Sequence, residues 1–249
     1  MEIKRVVRLA AIIPARYGAQ RLPGKPLADL LGEPMVVHVC RRAAQALGEQ
    51  AVAVATDDER IASAVRAHGF RAILTDPACA NGTERVAQAA RDFPADGYLN
   101  VQGDEPLIAP GAIAALAELV RGGARMATLA RPLQPGEESR DSVVKVVLNL
   151  RNQALYFSRS LIPFPRKPLL RPLAHIGLYG FSAGFLQTFA ALPATELEET
   201  EQLEQLRALA HGHTIEVGVV PFTSMAVDTP DDLERVRRAM ELEPRRNVR

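Results

Sequence analysis

The sequence predicts an α/β fold: a mostly parallel sheet flanked by helices, with a β-rich excursion in its second half. Three observations carry this expectation. Short, continuously apolar, β-branched runs recur through the first half, and buried parallel strands read as such runs. Helical patterns separate those runs, giving a β-α-β-α-β rhythm with right-handed crossovers. After about residue 125 the rhythm changes, and strand-like runs follow one another without helices between them.

The strand candidates of the first half are Val6 to Ile13, Ala51 to Ala55, Ile73-Leu74 and Tyr98 to Val101. A helix is expected after Pro34, running to about Leu47. A second starts at Thr56 or Asp57, with Glu59 placed for a capping box, and stops before Gly69. Thr83 to Asp92 and Pro110 to Val120 are the next helices. In the excursion, Met126 to Ala130, Val143 to Leu148 and Ala154 to Phe157 read as strands, and the proline-rich Leu161 to Pro172 as a loop or extended arm. Thr195 and Glu198 form a capping-box pattern for a later helix. The last helix begins at Thr229-Pro230-Asp231-Asp232, with a cap, a Pro at the first position and acids in the first turn.

A chain of 249 residues suits one large domain or two small ones, and 47% apolar with 24% charged residues is an ordinary globular mix. Thirty basic residues face twenty-nine acidic ones. That balance argues against an extended nucleic-acid surface, so any anion site must be local. No apolar run approaches the ~20 residues needed to cross a bilayer, so no membrane insertion is expected. The run after Met1 is interrupted by Arg8 and too short for a signal peptide. Cys40 and Cys79 form no CxxC pair and read as free thiols, which fits a cytoplasmic protein.

Pro14 to Pro26 is the most informative stretch. It follows the first strand, so it lies at a carboxyl edge, where open α/β sheets bind ligands. Arg16, Arg21 and Lys25 gather there with Gly18 and Gly24, a composition suited to cradling a polyphosphate. It is not a Walker A loop: five residues separate the glycines where that motif has four, and Pro26 stands where a metal-binding hydroxyl is needed.

Asn100 to Pro106 ends another core strand, and Gly103 permits a tight turn that presents Asp104 near the same edge. An acid beside phosphates makes physical sense with a metal between them, because Mg²⁺ takes one or two carboxylates plus phosphate oxygens. Asp228, at the mouth of the last helix, is a second candidate. Thr229 can cap that helix and leave Asp228 for other work. As turn or capping residues both acids also have ordinary explanations. His211 and His213 point apart on a helix and lack further ligands at suitable spacing, so a zinc site is rejected. Asp57-Asp58-Glu59 reads as a helix start.

Taken together, these segments resemble the cytidylyltransferase family that activates 3-deoxy-manno-octulosonate (Kdo). The blocks are Ile12 to Arg16, Arg21 to Pro26, Ala55-Thr56-Asp57, Gly82-Thr83-Glu84-Arg85, Asn100 to Pro106, Val144 to Val147, Ala154 to Arg159, His175 to Gly180, Leu203 to Arg207 and Val227 to Pro230. Ala-Leu-Tyr-Phe-Ser-Arg, His-Ile-Gly-Leu-Tyr and Leu-Glu-Gln-Leu-Arg are the more particular to the family. The resemblance implies one nucleotidyltransferase (Rossmann-like) domain over residues 1–249. Its CTP-binding half is about 1–124. A β-rich excursion for sugar binding and dimerisation covers about 125–181, and about 182–249 returns to the core.

The resemblance also implies a reaction: CTP and the acid sugar give the CMP-sugar and pyrophosphate, with Mg²⁺, in a cytoplasmic homodimer that supplies lipopolysaccharide assembly. Arg16, Lys25, Asp104 and Asp228 would be catalytic, the two acids as magnesium ligands. Arg16, Arg21, Lys25, Gly82 and Arg85 would bind CTP. Gln102, Arg159, His175, Tyr179, Glu204 and Gln205 would line the sugar site, with Arg159 offering a planar fork to the sugar carboxylate.

On a helical wheel from Leu197, Glu204 and Gln205 fall off the apolar arc, in solvent or in a cleft. Ala19 and Gln20 stand where the family has small hydroxyl residues, Asn81 where Ser is usual, and the stretch from Pro165 to His175 is short. Rival readings are a cytidylyltransferase for an 8-amino Kdo analogue or a sialic acid, a non-catalytic nucleotide-binding protein, and a glycosyltransferase, which would release no pyrophosphate.

Overall fold

The computed structural model describes residues 6–18, 22–167 and 170–242. In chain order the strands are β1 (Leu9–Ala15), β2 (Asp29–Leu30), β3 (Glu33–Pro34), β4 (Val52–Thr56), β5 (Arg71–Leu74), β6 (Gly97–Asn100), β7 (Met126–Pro132), β8 (Lys145–Leu148), β9 (Ala154–Ser158), β10 (Leu173–Ser182) and β11 (Glu216–Val219). The helices are α1 (Met35–Leu47), α2 (Glu59–Ala67), α3 (Gly82–Ala89), α4 (Pro110–Arg121), α5 (Ala183–Ala191), α6 (Glu196–Glu201), α7 (Gln205–Ala210) and α8 (Pro230–Leu242). The α/β class and the helix-flanked parallel strands agree with the sequence expectation. The chain divides into two compact units. Of the described residues, those within 6–10, 93–100 and 111–223 form the first, and those within 11–92, 101–110 and 224–242 the second.

In the second unit β1, β4 and β5 are parallel, with Ala11 opposite Val52 and Ala53 opposite Arg71. Ile12, Ile13, Ala53, Val54 and Ala55 have no exposed surface, as strands covered on both faces require. Helices α1, α2 and α3 pack on β4, and α2 also on β5. Leu30, Met35, Val227 and Val236 form a separate small core, onto which Leu22, Leu107, Leu233 and Met240 pack. That core anchors the segment before α8.

The helix caps explain where the loops begin. Asn81 accepts from the Glu84 N–H at 2.8 Å, and Glu84 reaches back to the Ala80 N–H at 2.9 Å, so Asn does the capping work of a hydroxyl residue. Thr229 and Asp232 form a reciprocal box: Asp232 N–H donates to Thr229 Oγ1 at 3.2 Å and Thr229 N–H to Asp232 Oδ2 at 2.9 Å. The expected start of α2 at Thr56 or Asp57 is corrected. Asp58 is the cap, accepting from the Arg60 N–H at 2.9 Å, because Thr56 is still in β4.

In the first unit β10 is the hub. It pairs antiparallel with β6, β7 and β8, and β8 pairs antiparallel with β9. β11 lies parallel to β7. The β10–β7 register shifts between Ile176 and Tyr179, a bulge that sets Gly177 and Leu178 out of the pairing while burial keeps alternating along the strand. Gly97 and Gly180 make room for α4: a Cβ on Gly180 would lie 2.5 Å from Val120 Cγ2, and one on Gly97 2.7 Å from Val120 Cγ1. The helix expected after Thr195 is capped as predicted, with Thr195 Oγ1 accepting from the Glu198 N–H. It is, however, broken at Gln202, which adopts left-handed φ 52. α7 therefore starts a new helix with its own phase.

Candidate active site

The basic loop, the strand end after β6 and the mouth of α8 converge in the second unit. They line a cavity of about 570 Å³ with Arg16, Lys25, Gly82, Arg85, Gln102, Asp104 and Asp228 on its wall. The size lies in the usual range for small-molecule sites. Lys25 sits at the first position of a short 3-10 turn after Gly24, which takes φ 70. The Gly24 N–H closes the loop onto the Tyr17 carbonyl at 3.0 Å, and a Cβ on Gly24 would press within 3.2 Å of the Tyr17 ring. Glycine is needed there for both reasons.

Lys25 Nζ donates to Asp104 Oδ2 at 2.7 Å, to the Val227 carbonyl at 2.9 Å and to Asp228 Oδ1 at 3.3 Å. One ammonium thus joins the two acids expected to act together. Asp104 is set by Gly103, whose missing Cβ would lie 2.8 Å from the Pro14 carbonyl oxygen, and its own carbonyl accepts from the Val227 N–H at 2.9 Å. Because Thr229 and Asp232 cap α8, Asp228 is left to face Lys25, as the sequence suggested. Arg16 is exposed on the same wall. Arg21, with Ala19 and Gln20, lies outside the described residues.

Arg85 reaches this cavity from α3 although it is only 4% exposed. Its Nη1 donates to Thr75 Oγ1 at 2.6 Å and its Nη2 to Asp57 Oδ2 at 2.9 Å. Sequence reasoning took Asp57 for part of a helix start. It missed this partner of Arg85, since nothing in the spacing links residues 28 apart. The signal that could have found it is an acid directly after a buried strand, at a carboxyl edge.

The remaining sugar-side candidates lie together in the first unit. His175 and Tyr179 on β10 have ring centroids 5.4 Å apart, and Phe157 on β9 meets His175 edge-on at 5.1 Å. Burial lowers the His175 pKa to about 3 and so holds the imidazole neutral. Burial, then the Glu204 charge, push the Tyr179 phenol well above its ordinary value. Arg159 donates from Nε to the Glu201 carbonyl at 2.7 Å, from Nη1 to the Asp141 carbonyl at 3.1 Å and from Nη2 to the Gln202 carbonyl at 3.2 Å. These bonds use three of its five N–H donors and set its plane with main-chain oxygens rather than with an acid. Lys145, fully buried, braces it by donating to the Arg159 carbonyl at 2.9 Å.

Gln205 corrects the helical wheel. It is 3% exposed, not off the core, and its Nε2 has no acceptor among the described residues. The break at Gln202 resets the phase of the helix and turns Gln205 inward. A buried amide without a partner is costly, and a ligand oxygen would satisfy it.

Comparison with known proteins shows the family. A family model described as cytidylyltransferase matches residues 10–215. The 3-deoxy-manno-octulosonate cytidylyltransferase of Anaeromyxobacter sp. (strain Fw109-5) is 55% identical over 242 residues, covering 96% of this chain and 99% of that protein. The Escherichia coli protein of the same name is 44% identical over 240 residues, covering 95% and 98%. The chain belongs to the 3-deoxy-manno-octulosonate cytidylyltransferases. A solved structure described as CMP:2-keto-3-deoxy-manno-octonic acid synthetase complexed with CTP superimposes with TM-score 0.91 at 43% identity, over 95% of this chain and all of that one. Among the described residues no helix is long and apolar enough to cross a membrane.

Proposed function

We propose that the protein transfers CMP from CTP to the anomeric hydroxyl of Kdo, releasing pyrophosphate and supplying CMP-Kdo for lipopolysaccharide synthesis in the cytoplasm. The observation that carries this reading is the meeting of Lys25 with Asp104 and Asp228 on the wall of a cavity that also holds Arg16 and Arg85. In-line attack on the α-phosphate gathers negative charge on the departing pyrophosphate. Lys25 and Arg16 place positive charge for it, in a pocket shaped before the reaction begins. Arg85, held by Asp57 and Thr75, is positioned as a further CTP contact, and Gly82 lets the chain at the start of α3 come close to the nucleotide.

Magnesium is part of the proposal. Asp104 and Asp228 already share one cation, the Lys25 ammonium, so the donor set fits a hard metal that completes its shell with phosphate oxygens. When bound, Mg²⁺ supplies charge neutralisation and a lowered pKa for an attacking hydroxyl. For the acid sugar, Arg159 offers its remaining N–H donors to the carboxylate. His175, Tyr179, Glu204 and Gln205 supply hydrogen bonds. The active species is proposed to be a homodimer formed through the β-rich excursion.

Pyrophosphate release tests the reading. Purified protein with Mg²⁺ is given CTP, UTP, ATP or GTP, with and without Kdo. Release that needs both CTP and Kdo, and stops with chelator, is the expected result. Release with a sialic acid but not Kdo would replace the substrate. CTP binding without release on any acidic sugar would favour a binding protein.

A further inference from the structure

We propose that Thr128 is a positioning residue for sugar recognition: its hydroxyl fixes the proton of His175 on Nε2, so that Nδ1 is a lone-pair acceptor for a substrate hydroxyl.

Thr128 lies in the middle of β7, has no exposed surface, and stands opposite Tyr179 across the bulge in β10. The bulge leaves two carbonyls turned toward it. Thr128 Oγ1 is 2.7 Å from the Leu178 oxygen, 3.2 Å from the Ile176 oxygen and 2.9 Å from His175 Nε2. A hydroxyl has one proton, and carbonyl oxygens only accept. The proton therefore goes to the carbonyls, chiefly to Leu178. Were it turned to the imidazole instead, two oxygens 2.7 Å apart would face each other with nothing between them. Toward His175 the hydroxyl presents a lone pair, so Nε2 must carry the hydrogen and donate.

Desolvation keeps the ring from taking a second proton. A neutral ring with its hydrogen on Nε2 has a bare Nδ1. The ring meets Phe157 edge-on at 5.1 Å and Tyr179 at a tilt at 5.4 Å, and these contacts hold its plane as the threonine holds its tautomer. Such a group selects a hydroxyl at the position it faces and disfavours a carbonyl or ether oxygen, which would set lone pair against lone pair. The specificity then originates in a strand bulge and a buried threonine that need not touch the sugar.

The inference rests on the reading that His175 lines the sugar site, and the test separates the two. Nitrogen NMR of ¹⁵N-histidine protein, with His175→Gln for assignment, reads the tautomer without substrate. The expected result is protonated Nε2 and unprotonated Nδ1 in the wild type and in Thr128→Ser, and a mixed population in the near-isosteric Thr128→Val. Thr128→Val should raise the KM for Kdo about tenfold, the worth of one hydrogen bond, with the KM for CTP within about twofold. Thr128→Ser should restore the wild-type value. Protonated Nδ1 in the wild type overturns the assignment whatever the kinetics. The expected tautomer with an unchanged Kdo KM in Thr128→Val overturns the positioning role. If His175→Ala also leaves that KM unchanged, the sugar-site reading of His175 falls with it. Should Thr128→Val fail to fold, the wild-type tautomer still decides the assignment, and Thr128→Ala, which also lacks the hydroxyl, takes the valine variant's place in the KM test.

Discussion

Lys25, Asp104 and Asp228 meet in the second unit with 16%, 29% and 44% of their side-chain surfaces exposed, and they meet as charges. In the first unit His175 and Tyr179 are desolvated and held neutral. The first arrangement suits a polyanion. Its energy comes from opposite charges, falls slowly with distance and tolerates small errors of placement. The second suits a ligand distinguished by its hydroxyl pattern. Around His175 and Tyr179 the interactions are hydrogen bonds of neutral groups, weak unless well aligned and costly if left unmade, and Arg159 supplies the charge for the acid. Binding strength belongs to the one region and discrimination to the other.

The largest effect should follow from removing the shared cation. Lys25→Ala takes away the bridge between two acids and a charge facing the triphosphate, and it should lower kcat/KM about a thousandfold. Steady-state pyrophosphate release checks this. A loss under about tenfold would mean that the cavity does not work by charge.

Asp57→Ala sharpens the same side of the comparison. It leaves the nearly buried Arg85 with Thr75 alone as a side-chain hydrogen-bond partner among the described residues. Breaking such a pair costs about 3 kcal/mol of stability, and the KM for CTP should rise about tenfold as Arg85 loses its place. Urea unfolding and initial rates read the two effects. Asp57→Asn, which keeps an acceptor oxygen, should recover much of both.

In the first unit the opposite pattern is expected. Gln205→Leu removes a buried amide whose Nε2 has no acceptor among the described residues. The variant should be as stable as the wild type or more so, by about 1 kcal/mol, while the KM for Kdo rises about tenfold. A substitution that strengthens the fold and weakens the substrate identifies a group kept for its ligand. A matching loss of stability would show that Gln205 serves only the packing of α7.

How much of this is legible in the sequence follows the same division. Lys25, Asp104 and Asp228 come from turns at strand and helix ends, and such turns announce themselves through Gly103, Gly24 and the Thr229-Pro230 cap. Charge at a carboxyl edge is a local signal. The Asp57–Arg85 pair is not local, since neither spacing nor composition joins them. The inward turn of Gln205 depends on one residue, Gln202, taking φ 52, which a continuous helical wheel has no way to include. Thr128 reads as an ordinary strand residue. Its role exists only because β10 slips register beside it. What stays hidden is what depends on irregular backbone.

The smallest effect is also the one that most directly separates the two regions. His175 has a folded pKa near 3 against an ordinary 6.5, so below pH 6.5 the unfolded chain binds a proton that the folded ring refuses. Stability is therefore whole above pH 6.5 and declines as the pH falls toward 3. Between pH 6 and pH 5 this one group should cost about 1 kcal/mol. Asp232 in the second unit behaves differently. Burial opposes its charge, but bonds from Thr229, Arg235 and the Asp228 and Thr229 main chain outweigh that and lower its pKa from 3.8 to about 2. Its stabilisation is lost only as the pH falls from about 4 to 2. Urea midpoints measured at pH 7, 6, 5 and 4 should fall for the wild type already at pH 5. His175→Gln, which cannot take up a proton, should stay flatter through that interval. If both proteins show the same slope, acid sensitivity lies elsewhere, and the ring is not held neutral by its surroundings.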